Sequence, residues 1–267
     1  MSIERIATLL ARCGGPEKNF PPTDLYNEGW MLRLVLDWLS FNPGIDHDLA
    51  FATNDKWYSE ALIPSAFLPR VRGDKLAESW THADGVIGNF VIGADREGDL
   101  SLAEGASRIL VIEAKMFSKL SSGVKNASYF NQAARNVACI AEVIYRAQIS
   151  PESLEKIGFF VIAPESQIKD GVFAEHIVPD RIQSIVRRRI TEYQEPEKDK
   201  WFADWFIPTL DNLRIREISW EELIELINQS DSIFGAQIDA FYGKCLEFNR
   251  YVASRFGKGR GQPLTID

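Results

Sequence analysis

Residues 108–115 read Arg108-Ile109-Leu110-Val111-Ile112-Glu113-Ala114-Lys115, and the reading of this stretch decides the fold. Residues 108–114 (RILVIEA) form a continuous apolar run that ends in charge, the pattern of a strand covered on both faces. Side chains alternate along a strand, so Glu113 and Lys115 share a face. Charged groups at the end of a buried strand are costly unless a metal, an ion pair or water compensates them. Nowhere else in the chain does a lysine follow an acidic residue at this two-residue spacing.

Working outward, residues 83–92 (ADGVIGNFVI) are the preceding strand candidate, with Asp84 near its start, and residues 93–105, rich in glycine and acid, read as a long hairpin connection. A hairpin brings Asp84 and Glu113 together, where both carboxylates can share one hard cation. Residues 58–68 read as an earlier strand, with Pro64 implying an edge position or a bulge. Downstream, residues 126–147 carry a helical stripe of Phe130, Ala133, Val137, Ile140 and Ile144, with Lys125, Tyr129, Gln132 and Asn136 spaced along a neighbouring face. Ile157–Ile162 (IGFFVI) is a second buried strand.

Toward the N-terminus, residues 3–12 predict a short amphipathic helix. A second helix covers 25–39, capped by Thr23 or Asp24 and ended by Asn42, Pro43 and Gly44. From residue 24 the order is helix, strand, strand, strand, helix, strand, which predicts an α/β (α+β) fold with a mixed central sheet. Beyond it, 172–192 reads as a helix containing Arg187, Arg188 and Arg189. A charged connection precedes WFADWF, 213–219 reads as a strand, and 220–227 and 233–256 read as helices. No linker divides the chain, so 1–267 is taken as one elaborated domain, with a core at 24–163 and a C-terminal elaboration at 164–267.

The 267 residues are 45% hydrophobic and 25% charged, which matches soluble globular proteins and excludes disordered or collagen-like chains. No apolar stretch approaches the roughly 18 residues of a membrane-spanning helix, and MSIERIATLL lacks an uninterrupted signal core, so a cytoplasmic location is expected. Cys13, Cys139 and Cys245 are scattered and form no CxxC pair, which disfavours a disulfide framework or a four-cysteine metal site. A net charge of −8 disfavours sequence-blind coating of nucleic acid, yet it suits an enzyme whose acids hold metal and whose basic groups are local. His47 lies between Asp46 and Asp48 in a segment read as a turn, His82 precedes Asp84 by two positions, and His176 has no partner identified by spacing. No GxSxG, P-loop or dinucleotide fingerprint is present. Trp201, Trp205 and Phe206 read as core or interface aromatics.

Asp84-Gly85 on one strand and Glu113-Ala114-Lys115 on the next resemble the PD-(D/E)XK nuclease superfamily, the restriction-endonuclease-like fold. Glu28 matches the glutamate that many members carry on the first helix. Gln132 matches the glutamine found after the lysine strand in nuclease branches of the RecB type. Ala83 stands where the family name has proline. The resemblance covers about half of the chain and leaves 165–267 aside. It implies magnesium, with manganese able to substitute, held by Asp84, Glu113 and the backbone carbonyl of Ala114. Lys115 would position or help deprotonate the attacking water, and Glu28 would hold a second metal.

The implied activity is hydrolysis of DNA phosphodiester bonds, DNA rather than RNA, in restriction, phage defence or DNA repair. Lys125, Tyr129 and Arg72 are the candidate substrate contacts. Arg70 and Lys75, Lys119, Arg181, Arg187–Arg189, Lys258 and Arg260 are the other basic groups. A second copy or a protein partner is compatible with the reading. Two alternatives stay open: a non-catalytic interaction or regulatory module that keeps the fold, and an α/β protein in which Glu113 and Lys115 are a plain ion pair.

Overall fold

The computed structural model describes residues 3–16, 19–93, 98–124 and 126–256. Two helices come first, α1 (Ile3–Arg12) and α2 (Glu28–Phe41). Five strands follow: β1 (Lys56–Ile63), β2 (Thr81–Gly88), β3 (Phe90–Ile92), β4 (Leu100–Leu102) and β5 (Arg108–Ala114). Next are α3 (Gln132–Ala147), β6 (Lys156–Ala163), α4 (Glu165–Lys169) and α5 (Pro179–Tyr193). A continuous helical stretch then comprises α6 (Glu197–Trp201), a π-helical turn (Phe202–Phe206) and α7 (Ile207–Asp211). β7 (Leu213–Ser219), α8 (Trp220–Ser230) and α9 (Ser232–Phe256) complete the described chain.

The main sheet has the order β1-β2-β5-β6-β7, antiparallel from β1 to β5 and parallel from β5 to β7. It is therefore a five-stranded mixed sheet in an α/β arrangement. β5 lies at its centre because both of its faces are apolar. Ile109 and Val111 enter the core shared with α3 and α5, while Leu110 and Ile112 enter the core shared with α2, α8 and α9. Each such residue, fully buried, contributes about 1.5–3 kcal/mol, and truncating Ile112 to alanine costs about 2–5 kcal/mol. α2 approaches β2 closely at Gly85, where an added Cβ would lie 3.0 Å from Leu32 and 3.1 Å from Leu36.

Several boundaries differ from the sequence reading, each for a local reason. Thr23 and Asp24 lie in a 3₁₀ turn (Pro22–Asp24) and do not cap α2; Asn27 does, its side chain accepting from Trp30 N at 2.9 Å. β1 stops before Pro64 and is an edge strand, as the proline implied. The expected strand 83–92 is two strands. Gly88 adopts φ +154°, and a Cβ there would meet the Arg108 carbonyl at 2.6 Å, so the chain leaves the main sheet and pairs as a small β3–β4 hairpin within the expected connection.

The helix expected at 126–147 begins only at Gln132, where Asn131 caps it by accepting from Ala134 N at 2.9 Å. The helix expected at 172–192 is α5, begun by Pro179. The WFADWF segment is helical, and Trp201 and Phe206 are core residues. Arg189, grouped in sequence with the exposed Arg187 and Arg188, is fully buried. It donates to Glu78 at 2.6 Å and stacks beside Phe67. All three cysteines are buried and none is in a disulfide, and no helix among the described residues is long and apolar enough to cross a membrane.

Candidate functional site

The last registered pair between β2 and β5 is Gly85 with Ile112, so the two strands part at Asp84. Into this opening Asp84 turns its own carboxylate, and Oδ2 accepts the Ala114 N–H at 2.8 Å in place of a strand carbonyl. On its other side β5 keeps its pairing two residues longer, to Ala114. Lys115 N donates to Ile162 O at 2.7 Å, and the indole of Trp220 donates to Lys115 O at 2.9 Å. The backbone around Glu113-Ala114-Lys115 is thus anchored from both flanks.

Glu113 is 1% exposed and Lys115 9%. Lys115 Nζ donates to Glu113 Oε1, which confirms that the two share a face of β5. Gln132 Nε2 also donates to Oε1, and Asn136 Nδ2 donates to Oε2 at 3.2 Å. Gln132 is itself oriented, because its Oε1 accepts from Ser121 N at 3.0 Å. Gln132 and Asn136, one turn apart at the start of α3, therefore grip the carboxylate that β5 presents.

Asp84 stands near enough to Glu113 for its charge to act on it. Burial, and after it the neighbouring Asp84 charge, push the Glu113 carboxyl well above its ordinary range, against the opposing pull of Lys115. Asp84, Glu113, Lys115 and Gln132 line one cleft of about 550 Å³. Two carboxylates forced together beside a solvent-reaching space form a donor set that fits a hard divalent cation, which relieves their repulsion. Among the described residues no cluster of three or more His, Cys, Asp or Glu occurs. The side chains accordingly offer two carboxylates, and a backbone oxygen and waters are left to complete the octahedron that magnesium prefers.

The other candidates separate from this cluster. Glu28 is half-buried in the first turn of α2 and is not among the cleft-lining residues. Its charge acts instead on the Cys245 thiol, which burial first and Glu28 second push up to about 12. Tyr129 lies outside α3, because that helix starts later than its apolar stripe suggests. Its hydroxyl donates to Glu192 at 2.5 Å, and Arg188 stacks on its ring at 3.6 Å, in a separate depression with His176 and Arg181. Arg72 is exposed and does not line the cleft. Arg70 is tied to Asp74 at 2.8 Å and to the Tyr193 carbonyl at 2.7 Å. Lys125, Lys258 and Arg260 lie outside the described residues.

Of the histidines, His82 lines the cleft rim and is exposed, while His47 is held by Glu222 at 3.1 Å far from it. Asn136, on the helix face expected to look toward the site and hold phosphate or orient Lys115, bonds Glu113 instead, and Arg135 and Trp80 are cleft residues that the sequence reading does not single out. The signal for the first two was available: positions three and four after Gln132 on a helix face the same way. The chain matches no protein-family model, no curated protein and no solved structure.

Proposed function

We propose that this protein is a magnesium-dependent nuclease of the PD-(D/E)XK type, with a restriction-endonuclease-like core, that hydrolyses DNA phosphodiester bonds. The observation that carries the reading is the meeting of Asp84 and Glu113 at the parted ends of β2 and β5, with Lys115 on the face of Glu113. The helix-strand-strand-strand-helix-strand order from α2 to β6, interrupted only by the small hairpin, agrees with it.

Asp84, Glu113 and the Ala114 carbonyl are the residues that would hold the cation. When bound, it supplies Lewis-acid polarisation of a phosphoryl oxygen and a more acidic water. Lys115 contributes a positive charge beside the point where negative charge develops on phosphate, and it orients the attacking water. Gln132 and Asn136 hold the Glu113 carboxylate in one rotamer, so that no reorientation is needed when the substrate arrives. The burial of Glu113 and Lys115 keeps bulk water from screening these charges.

The test is incubation with supercoiled plasmid and with single-stranded DNA in magnesium, in manganese and with a chelator. Cleavage in either metal, abolished by the chelator and by Lys115→Ala in a folded protein, is the expected result. An absence of cation-dependent cleavage, or undiminished cleavage in Lys115→Ala, contradicts the reading.

A further inference from the structure

Arg135 sits on α3 between Gln132 and Asn136, and it lines the same cleft as the two carboxylates without a part in the chemistry proposed for them. The Asn131 cap and the bonds from Gln132 and Asn136 to Glu113 hold this stretch of helix against β5, so the base of the Arg135 side chain is held as well. The residue is half-buried, and its Nε is shut off from solvent without a hydrogen-bond partner.

Among the described residues Arg135 makes no ion pair, although three acids line the cleft with it. Glu78 is taken by Arg189 at 2.6 Å, Asp84 by the Ala114 N–H at 2.8 Å, and Glu113 by Lys115, Gln132 and Asn136. The other described arginines that are half-buried or buried, Arg33, Arg108, Arg189 and Arg216, each have a carboxylate partner. A half-buried guanidinium left without one is costly, and an anion entering the cleft removes that cost. The planar fork of arginine matches two phosphate oxygens at once.

The charge of the cleft points to the same anion. Arg189 cancels Glu78 within the fold. A divalent cation on Asp84 and Glu113 would cancel those two in turn, which leaves Lys115 on β5 and Arg135 on α3 as positive charges without a counterpart. A nucleic-acid strand supplies one negative charge at each phosphate.

We propose that Arg135 is a phosphate clamp in the cleft wall, taking a backbone phosphate of the nucleic acid from α3 while Lys115 faces it from β5. The inference rests on the nuclease reading and deepens it by naming a residue that holds the substrate through its backbone charge.

The experiment is fluorescence anisotropy of a labelled oligodeoxynucleotide, in EDTA and in calcium, at low salt and then over a salt series. It compares the wild type with Arg135→Gln and Arg135→Lys proteins of matching thermal stability. Arg135→Gln should weaken binding roughly tenfold or more and lower the salt slope by about one, and Arg135→Lys should recover part of the loss. An oligodeoxynucleotide with neutral methylphosphonate linkages should bind the wild type and Arg135→Gln to the same, weaker extent, which a purely structural role for Arg135 does not produce. Unchanged affinity and salt slope in Arg135→Gln, an equal loss on the neutral backbone, or no binding by the wild type overturns the proposal. Competition by inorganic phosphate at the concentration of the oligodeoxynucleotide also overturns it, because the ligand is then a free anion. Cation-dependent cleavage at an unchanged KM in Arg135→Gln would remove the clamp and leave the nuclease reading standing. Binding lost in Arg135→Gln and partly regained in Arg135→Lys, with no cleavage by the wild type in any cation, would do the reverse.

Discussion

The two ends of the parallel strands β5, β6 and β7 treat buried carboxylates in opposite ways. At their N-terminal end, Asp48 accepts from Arg214 and Arg216 and lies 3.4 Å from Lys156 on neighbouring strands, so three cations surround one acid. Burial pushes the Asp48 carboxyl up, but the bonds from Arg214 and Arg216 outweigh it and hold the group below its ordinary range. At the C-terminal end, Glu113 meets one lysine and a second carboxylate, and its carboxyl is driven upward. Charge at the first end is neutralised by the protein itself. At the second end two carboxylates meet over a single lysine, beside a space that a cation can enter. The same residue types thus serve as structure at one end and as a candidate site at the other.

That contrast is broken most sharply by substitution. Asp84→Asn or Glu113→Gln should lower DNA cleavage by roughly 100- to 1000-fold, the scale for losing a group that stabilises developing charge. Circular dichroism melts separate folding from chemistry: Glu113→Gln, which strands the buried Lys115, should lower the melting temperature more than Asp84→Asn. Gln132→Ala should reduce cleavage by roughly 10- to 100-fold through loss of the grip on Glu113, with the metal dependence of the rate shifted to higher concentration. Asp48→Asn should do the converse, costing about 1–3 kcal/mol in urea unfolding while leaving the cleavage rate unchanged.

The smallest effect concerns pH. Burial lowers the His47 imidazole below its ordinary value, against the opposing pull of Glu222. The unfolded chain therefore takes up a proton near pH 6.5 that the folded chain refuses. The contribution of His47 is complete above that pH and is lost as pH falls toward the folded value. His47→Gln should flatten this part of the stability profile, measured by melts from pH 7.5 to 5.

Much of the sheet was legible because period and continuity are local signals. β5 matches the apolar run at 108–114, β7 matches 213–219, and β6 is one residue longer at each end than 157–162. The pairing of Glu113 with Lys115 followed from strand alternation, and the approach of Asp84 from the hairpin. What depended on distant partners was not legible. Arg189 reads as one of three surface arginines until Glu78 and Phe67 are packed against it. Phe130 continues the helical stripe, yet the Asn131 cap starts α3 after it, and that offset takes Tyr129 away from the cleft. Glu28 opens α2 behind its Asn27 cap and does not line the cleft.

Calorimetric titration with manganese puts the central claim to its most direct trial. The wild type should bind the cation with loss of that heat in both Asp84→Asn and Glu113→Gln, while Asp48→Asn keeps it. Equal binding in all four proteins, or none in the wild type, would contradict the assignment of Asp84 and Glu113 as a shared cation site.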